Sequence, residues 1–184
     1  MIHHKNKFIF VEIPKTGTTT ICSALNSNYD FATWRHRTFM QYRNEYPIKA
    51  KEYFKFSFVR NPWDKLVSQF HFNRGKFGME NYSFKDYIRA FHAGHVVSIR
   101  SQSYLPWLVD ENGIIAVDFI GRFENLQNDF DHLCDQIGIE NKKLPHKNST
   151  KHEHYTKYYD KESRRLVAEK YAKDIEYFGY KFGE

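Results

Sequence analysis

A lysine, a glycine and four threonines follow an apolar run near the start of the chain, in Phe8-Ile9-Phe10-Val11-Glu12-Ile13-Pro14-Lys15-Thr16-Gly17-Thr18-Thr19-Thr20. The β-favouring residues stop at a proline, and Ile21, Ala24 and Leu25 then recur at helical spacing. This pattern predicts a strand, a tight loop and a helix. Backbone N–H groups, a helix N-terminus and the Lys15 ammonium would converge in such a turn, which suits a phosphate or sulfate group. A nucleotide-triphosphate loop reads GxxxxGK(S/T). Here the lysine precedes the glycine, no glycine opens the loop, and no acidic residue ends a second strand to hold magnesium. A standard ATPase or GTPase is therefore disfavoured, and a divergent nucleotide kinase using ATP and magnesium stands as the enzyme alternative.

A second stretch has the same logic. Phe56-Ser57-Phe58-Val59 runs into Arg60-Asn61-Pro62-Trp63-Asp64-Lys65-Leu66-Val67-Ser68. Arg60 stands at a strand end, where its planar fork can make a charge-assisted pair with a phosphate. Asn61 can cap a helix with Pro62 at its first position, and Leu66, Val67 and Phe70 supply the apolar face. Ser68 lies two turns into that helix and shares a face with Asp64.

The elements that must hold these groups alternate. Val117-Asp118-Phe119-Ile120-Gly121 predicts another strand, and Leu126, Phe130, Leu133, Cys134 and Ile137 a helix stopped by Gly138. Asp30 to Trp34 reads as a short strand, Thr38 to Tyr46 as a short helix, and Ser83 to Phe91 and Asp160 to Tyr171 as amphipathic helices. The aromatic tail Tyr177 to Phe182 is expected to dock back on the body. Strands alternating with helices imply an α/β fold: a P-loop-like three-layer arrangement with a central, mostly parallel sheet, one domain over residues 1–184, and a site at the strand C-terminal ends.

Composition narrows the class. Hydrophobic residues make up 41% and aromatics 18%, which is globular composition. The net charge of +6 suits a polyanionic partner, but the basic residues are spread out and give no nucleic-acid signature. No apolar run approaches the ~20 residues of a membrane span. The first seven residues lack the apolar core of a secretory signal. A cytoplasmic protein is the expectation. Cys22 and Cys134 form no CxxC pair and read as buried thiols. His146, His152 and His154 lack the acidic or cysteine partner that would make a metal site.

The loop Ile13 to Thr19 resembles the 5′-phosphosulfate loop of sulfotransferases that use 3′-phosphoadenosine 5′-phosphosulfate (PAPS), in their carbohydrate-type, membrane-associated branch. Many members have a second glycine where Thr18 stands. The stretch Phe56 to Ser68 is similar to the family's 3′-phosphate motif, and Asp118 to Asp129 to a later strand–turn–helix element. Leu144 to Lys151 resembles the loop that closes over the cofactor. The resemblance implies that Lys15, Thr16, Gly17, Thr18, Thr19 and Thr20 hold the 5′ end of PAPS. It implies that Arg60 and Ser68 hold the 3′-phosphate, with Ser149 and Lys151 from the late loop. It also implies sulfuryl transfer to a hydroxyl of a carbohydrate or other small acceptor, without a metal, leaving adenosine 3′,5′-bisphosphate (PAP). His36 is the candidate base, since related enzymes place a His or Glu after the second strand. Arg35 and Arg37 would lower its pKa and bind an acidic acceptor. The non-enzyme alternative is a sulfotransferase-like protein that binds nucleotide or glycan without turnover.

Overall fold

The computed structural model describes residues 1–25, 36–74, 81–95, 102–145 and 153–184. The expected strand at Asp30 to Trp34 lies outside them. The chain divides into two compact units, one of Met1–Val59 with Tyr104–Asn148 and the other of Arg60–Ser103 with Ser149–Glu184.

The first unit carries the sheet. Among the described residues it has four strands in the order β1 (Ile2–His3), β2 (Phe8–Val11), β3 (Phe54–Val59) and β4 (Phe119–Arg122). Strand β1 is antiparallel to β2, and the β2–β3 and β3–β4 pairs are parallel. All four residues of β2 are buried, as expected of a strand covered on both faces. The phenylalanines fall at every second position, so Phe8, Phe10, Phe56 and Phe58 share a face. Phe10 and Phe56 are cross-strand partners with rings stacked at 4.8 Å. Helices α1 (Thr18–Leu25) and α7 (Leu126–Ile137) close this core with Ile21, Cys22, Leu25, Phe130, Leu133 and Cys134. Both cysteines are buried thiols. Burying each phenylalanine is worth about 1.5–3 kcal/mol, so the apolar alternation itself locks the register.

Strand β4 starts two residues later than the sequence pattern predicts. Asp118 does not continue the ladder with its side chain; its carboxylate accepts the Lys55 N–H at 2.7 Å and pairs with the Lys55 ammonium at 2.9 Å. Gly121 has no room for a side chain, because a Cβ there would lie 2.3 Å from the Phe58 ring. Gly138 ends α7 in the left-handed conformation at φ 68°, the usual glycine stop. The unit also holds α2 (Phe39–Glu45), α3 (Pro47–Glu52) and the single turn α6 (Leu105–Leu108). Thr38 and Gln41 form a capping box that starts α2.

The second unit is helical: α4 (Pro62–Arg74), α5 (Phe84–His92), α8 (Lys161–Lys170) and α9 (Ala172–Phe178). The Asn61 side chain accepts the Trp63 N–H at 3.2 Å and so starts α4, with Pro62 at its first position. Ser83 caps α5, and Asp160 with Ser163 caps α8. The tail docks as expected within this unit. The Phe182 ring meets Trp63, Tyr155 and Tyr159 edge-on, and Arg164 lies over its face at 4.5 Å. Part of that tail is helix α9, ended by Gly179 at φ 67°. Among the described residues no helix is long and apolar enough to cross a membrane.

Candidate functional site

The strands β2 and β3 are parallel neighbours, and the two anion motifs leave their C-terminal ends. After β2 the chain is buried through Glu12, Ile13 and Pro14 and then turns sharply. Lys15 adopts φ 70° and Gly17 φ 85°, both left-handed. A non-glycine residue in this region costs on the order of 1 kcal/mol or more and marks a position held by its surroundings. Thr16 does the holding: it is fully buried and its hydroxyl donates to the Ile13 carbonyl at 2.8 Å. That hydroxyl is therefore spent on the loop, which leaves the Thr16 backbone, rather than its side chain, for an anion. Gly17 is needed twice over, by its φ and because a Cβ would press on Phe123 at 3.2 Å. Its carbonyl accepts the N–H groups of Thr20 and Ile21 and so opens α1. The first N–H groups of a helix have no partner within it. Those of Thr18 and Thr19 accordingly belong to the loop mouth. Lys15 and Thr19 are half-buried, whereas Thr18 and Thr20 are buried.

His36 stands in the same unit. Its Nδ1 lies 2.9 Å from the Glu12 carbonyl oxygen. A carbonyl only accepts, so Nδ1 carries the hydrogen and a neutral ring keeps its lone pair on Nε2. Trp107 packs edge-on against the imidazole, with ring centroids 6.3 Å apart at 86°. His36 also lines an open groove of about 560 Å³, together with Arg37, Gln41, Asn44 and Glu45. Arg37 is bound to the Glu45 carboxylate, and its guanidinium lies 6.0 Å from the centre of the Tyr42 ring. Arg35, Ser149 and Lys151 lie outside the described residues.

In the second unit Arg60 follows β3 directly and is largely buried. Its Nε donates to Asp64 at 2.8 Å. This pair aligns one edge of the guanidinium and leaves the fork geometry defined by the helix that carries Asp64. Ser68 is one turn beyond Asp64 on α4 and is also buried. Three other histidines have partners away from this loop: His71 with the Tyr158 hydroxyl at 2.9 Å, His92 with Glu169, and His154 with Thr156. Among the described residues no cluster of His, Cys, Asp and Glu could hold a metal ion.

Lys65 is the residue that sequence reasoning missed. It lies inside the second motif and is completely buried. Its ammonium donates to the Gln102 carbonyl at 2.7 Å and faces the Tyr171 ring at 5.4 Å. The bond ties α4 to the segment that carries Gln102. Burial pushes the Lys65 pKa down to about 7, with Asp174 pulling it back up. The unfolded chain then holds a proton that the folded chain lacks between about pH 7 and the ordinary lysine value, so stability rises with pH in that window. Wild type is expected to gain about 2 kcal/mol over Lys65→Met between pH 7 and 9. The Cys134 thiol, pushed up to about 11 by burial, works in the opposite sense above pH 9, but it is common to both proteins. Urea unfolding at the two pH values reads the difference, and parallel behaviour would show that the Lys65 charge is not linked to folding.

A model of the sulfotransferase family matches residues 1–181, and the chain belongs to that family. A carbohydrate sulfotransferase 14 from Danio rerio is 24% identical over 178 aligned positions, covering 75% of this chain and 48% of that protein. The chain thus spans about half the length of this relative. An uncharacterized protein from Archaeoglobus fulgidus is 30% identical over 89 positions, covering 47% of this chain and 69% of its own length.

Proposed function

We propose that this chain transfers the sulfuryl group of PAPS to a hydroxyl of a carbohydrate or other small acceptor, with both units forming one transferase domain. The observation that carries the reading is the loop between β2 and α1, where a strained Lys15 and Gly17 bracket a pinned Thr16 at the start of a helix. The donor set fits a sulfated phosphate: one ammonium, successive backbone N–H groups and the Thr19 hydroxyl.

PAPS, when bound, supplies an activated sulfuryl group on a good leaving phosphate. Lys15 and the N–H groups of Gly17, Thr18 and Thr19 stabilise the charge that grows on the bridging oxygen as the sulfur–oxygen bond breaks. Arg60 and Ser68 hold the 3′-phosphate and so fix the nucleotide's register. His36 Nε2 takes the proton from the acceptor hydroxyl as its oxygen bonds to sulfur. The balance is one sulfate ester, one PAP and one proton. Arg37 stands on the acceptor side beside His36, and Ser149, Lys151 and Arg35 complete the assignment. The likeness in name to a carbohydrate sulfotransferase supports a glycan acceptor.

Calorimetric titration without metal tests the reading. Wild type is expected to bind PAP in the micromolar range, about 8 kcal/mol of affinity. Binding of ATP with magnesium in preference to PAP would replace the sulfotransferase with a nucleotide kinase.

A further inference from the structure

We propose that the groove beside His36 takes an uncharged, hydroxyl-rich acceptor, and that Gln41 and Asn44 are the residues that read it. This rests on the transferase reading above and narrows its acceptor. The groove's volume of about 560 Å³ falls in the range of small-molecule sites. Three of its five lining residues, Gln41, Asn44 and Glu45, recur at i, i+3 and i+4 and so form one face of α2.

Among the described residues, Arg37 and Arg43 of this surface are each paired with a carboxylate. Arg37 is paired with Glu45 inside the groove. Arg43, on the same helix, is held by both oxygens of Glu111. A carboxylate or sulfate on the acceptor would have to displace Glu45 to reach Arg37, and it would meet Glu45 as a like charge while doing so. The neutral groups are differently disposed. Gln41 uses its side-chain oxygen to accept the Thr38 N–H at 2.8 Å in the capping box, which directs its remaining polarity to its NH₂ donors. Asn44 is exposed, and among the described residues its amide has no partner. An amide both donates and accepts, as a hydroxyl does. Two amides flanking a neutralised ion pair therefore match a polyol better than a polyanion. The base candidate lies in the same lining, so a hydroxyl bound there is within the groove that holds its proton acceptor.

The test uses four acceptors with the full chain and PAPS: β-linked tetramers of glucose and galactose, and the corresponding uronic acid tetramers. Wild type is expected to favour a neutral tetramer over its uronate by about two- to fivefold in kcat/KM, the scale of one displaced, partly exposed ion pair. Asn44→Ala, and Gln41→Glu, which keeps the capping oxygen and removes the NH₂, should raise KM for the neutral tetramer by several-fold to about tenfold. Glu45→Gln should shift preference toward the uronate. All three variants should bind PAP as wild type does, which also shows that they fold. Failure of wild type to bind PAP sinks the transferase reading itself. PAP binding with uronate preferred, with KM indifferent to both amide changes, or with no tetramer sulfated overturns this inference alone.

Discussion

Replacing Lys15 by alanine is expected to lower turnover by about 100- to 1,000-fold, the usual loss when a donor aimed at developing charge is removed. The affinity for unreacted PAPS, read from the concentration dependence of single-turnover rates, should weaken by less than tenfold. The split follows from where the charge changes. In bound PAPS the bridging oxygen carries little negative charge, so the ammonium contributes mainly as the sulfur–oxygen bond breaks. The loop should survive the change, because its shape rests on other groups. Thr16 donates to Ile13, the Gly17 carbonyl receives Thr20 and Ile21, and Gly17 itself supplies the second left-handed residue. Alanine at φ 70° carries much the same backbone cost as lysine. Single-turnover kinetics over a range of PAPS concentrations separates the outcomes. Turnover that stays near wild type would remove Lys15 from the chemistry. A loss of PAPS affinity with turnover at saturation unchanged would make it a ground-state ligand instead.

The main chain was legible where residue type and spacing agree with each other. Alternating phenylalanines and the punctuation at Pro14, Gly17 and Asn61-Pro62 mark β2, β3 and the starts of α1 and α4 at nearly their observed places. The helix at the tail was hidden by its aromatics. Ala172 to Phe178 has a good helix former at its start and a glycine just past its end, but Tyr177, Phe178 and Tyr180 read as packing material. Strand β4 slid by two residues because Asp118 spends its carboxylate on Lys55, a tertiary contact no periodicity encodes.

The site divides in the same way. Lys15, Gly17 and Arg60 carry a signal because their residue types sit at element ends. The tautomer of His36 depends on the Glu12 carbonyl, 24 residues earlier in the chain. Lys65 reads as a surface residue on an amphipathic helix, since burial of its ammonium requires the Gln102 carbonyl and the Tyr171 ring from distant segments. Gln41, Asn44 and Glu45 read as a solvated polar face. Only the groove gives them a shared target, and only the Glu45 contact shows that Arg37 is already neutralised.

Arg60→Ala is expected to weaken PAP binding by about 100-fold, the scale of a charge-assisted forked contact to phosphate. The substitution also strips Asp64 of its ion-pair partner at 2.8 Å, so lower stability alone could mimic part of the loss. Adenosine 5′-phosphate, which lacks the 3′-phosphate, resolves this. Wild type should prefer PAP to it by roughly 100-fold, and Arg60→Ala should bind the two nearly alike, because the preference is the 3′-phosphate contact itself. Arg60→Lys keeps the charge but not the planar fork that Asp64 aligns, so it should recover only part of the preference. If Arg60→Ala lowers the affinity for both nucleotides equally, Arg60 supports the fold of its unit and another cation holds the phosphate. If lysine restores the full preference, the contact is one of charge alone and the alignment by Asp64 has no part in it.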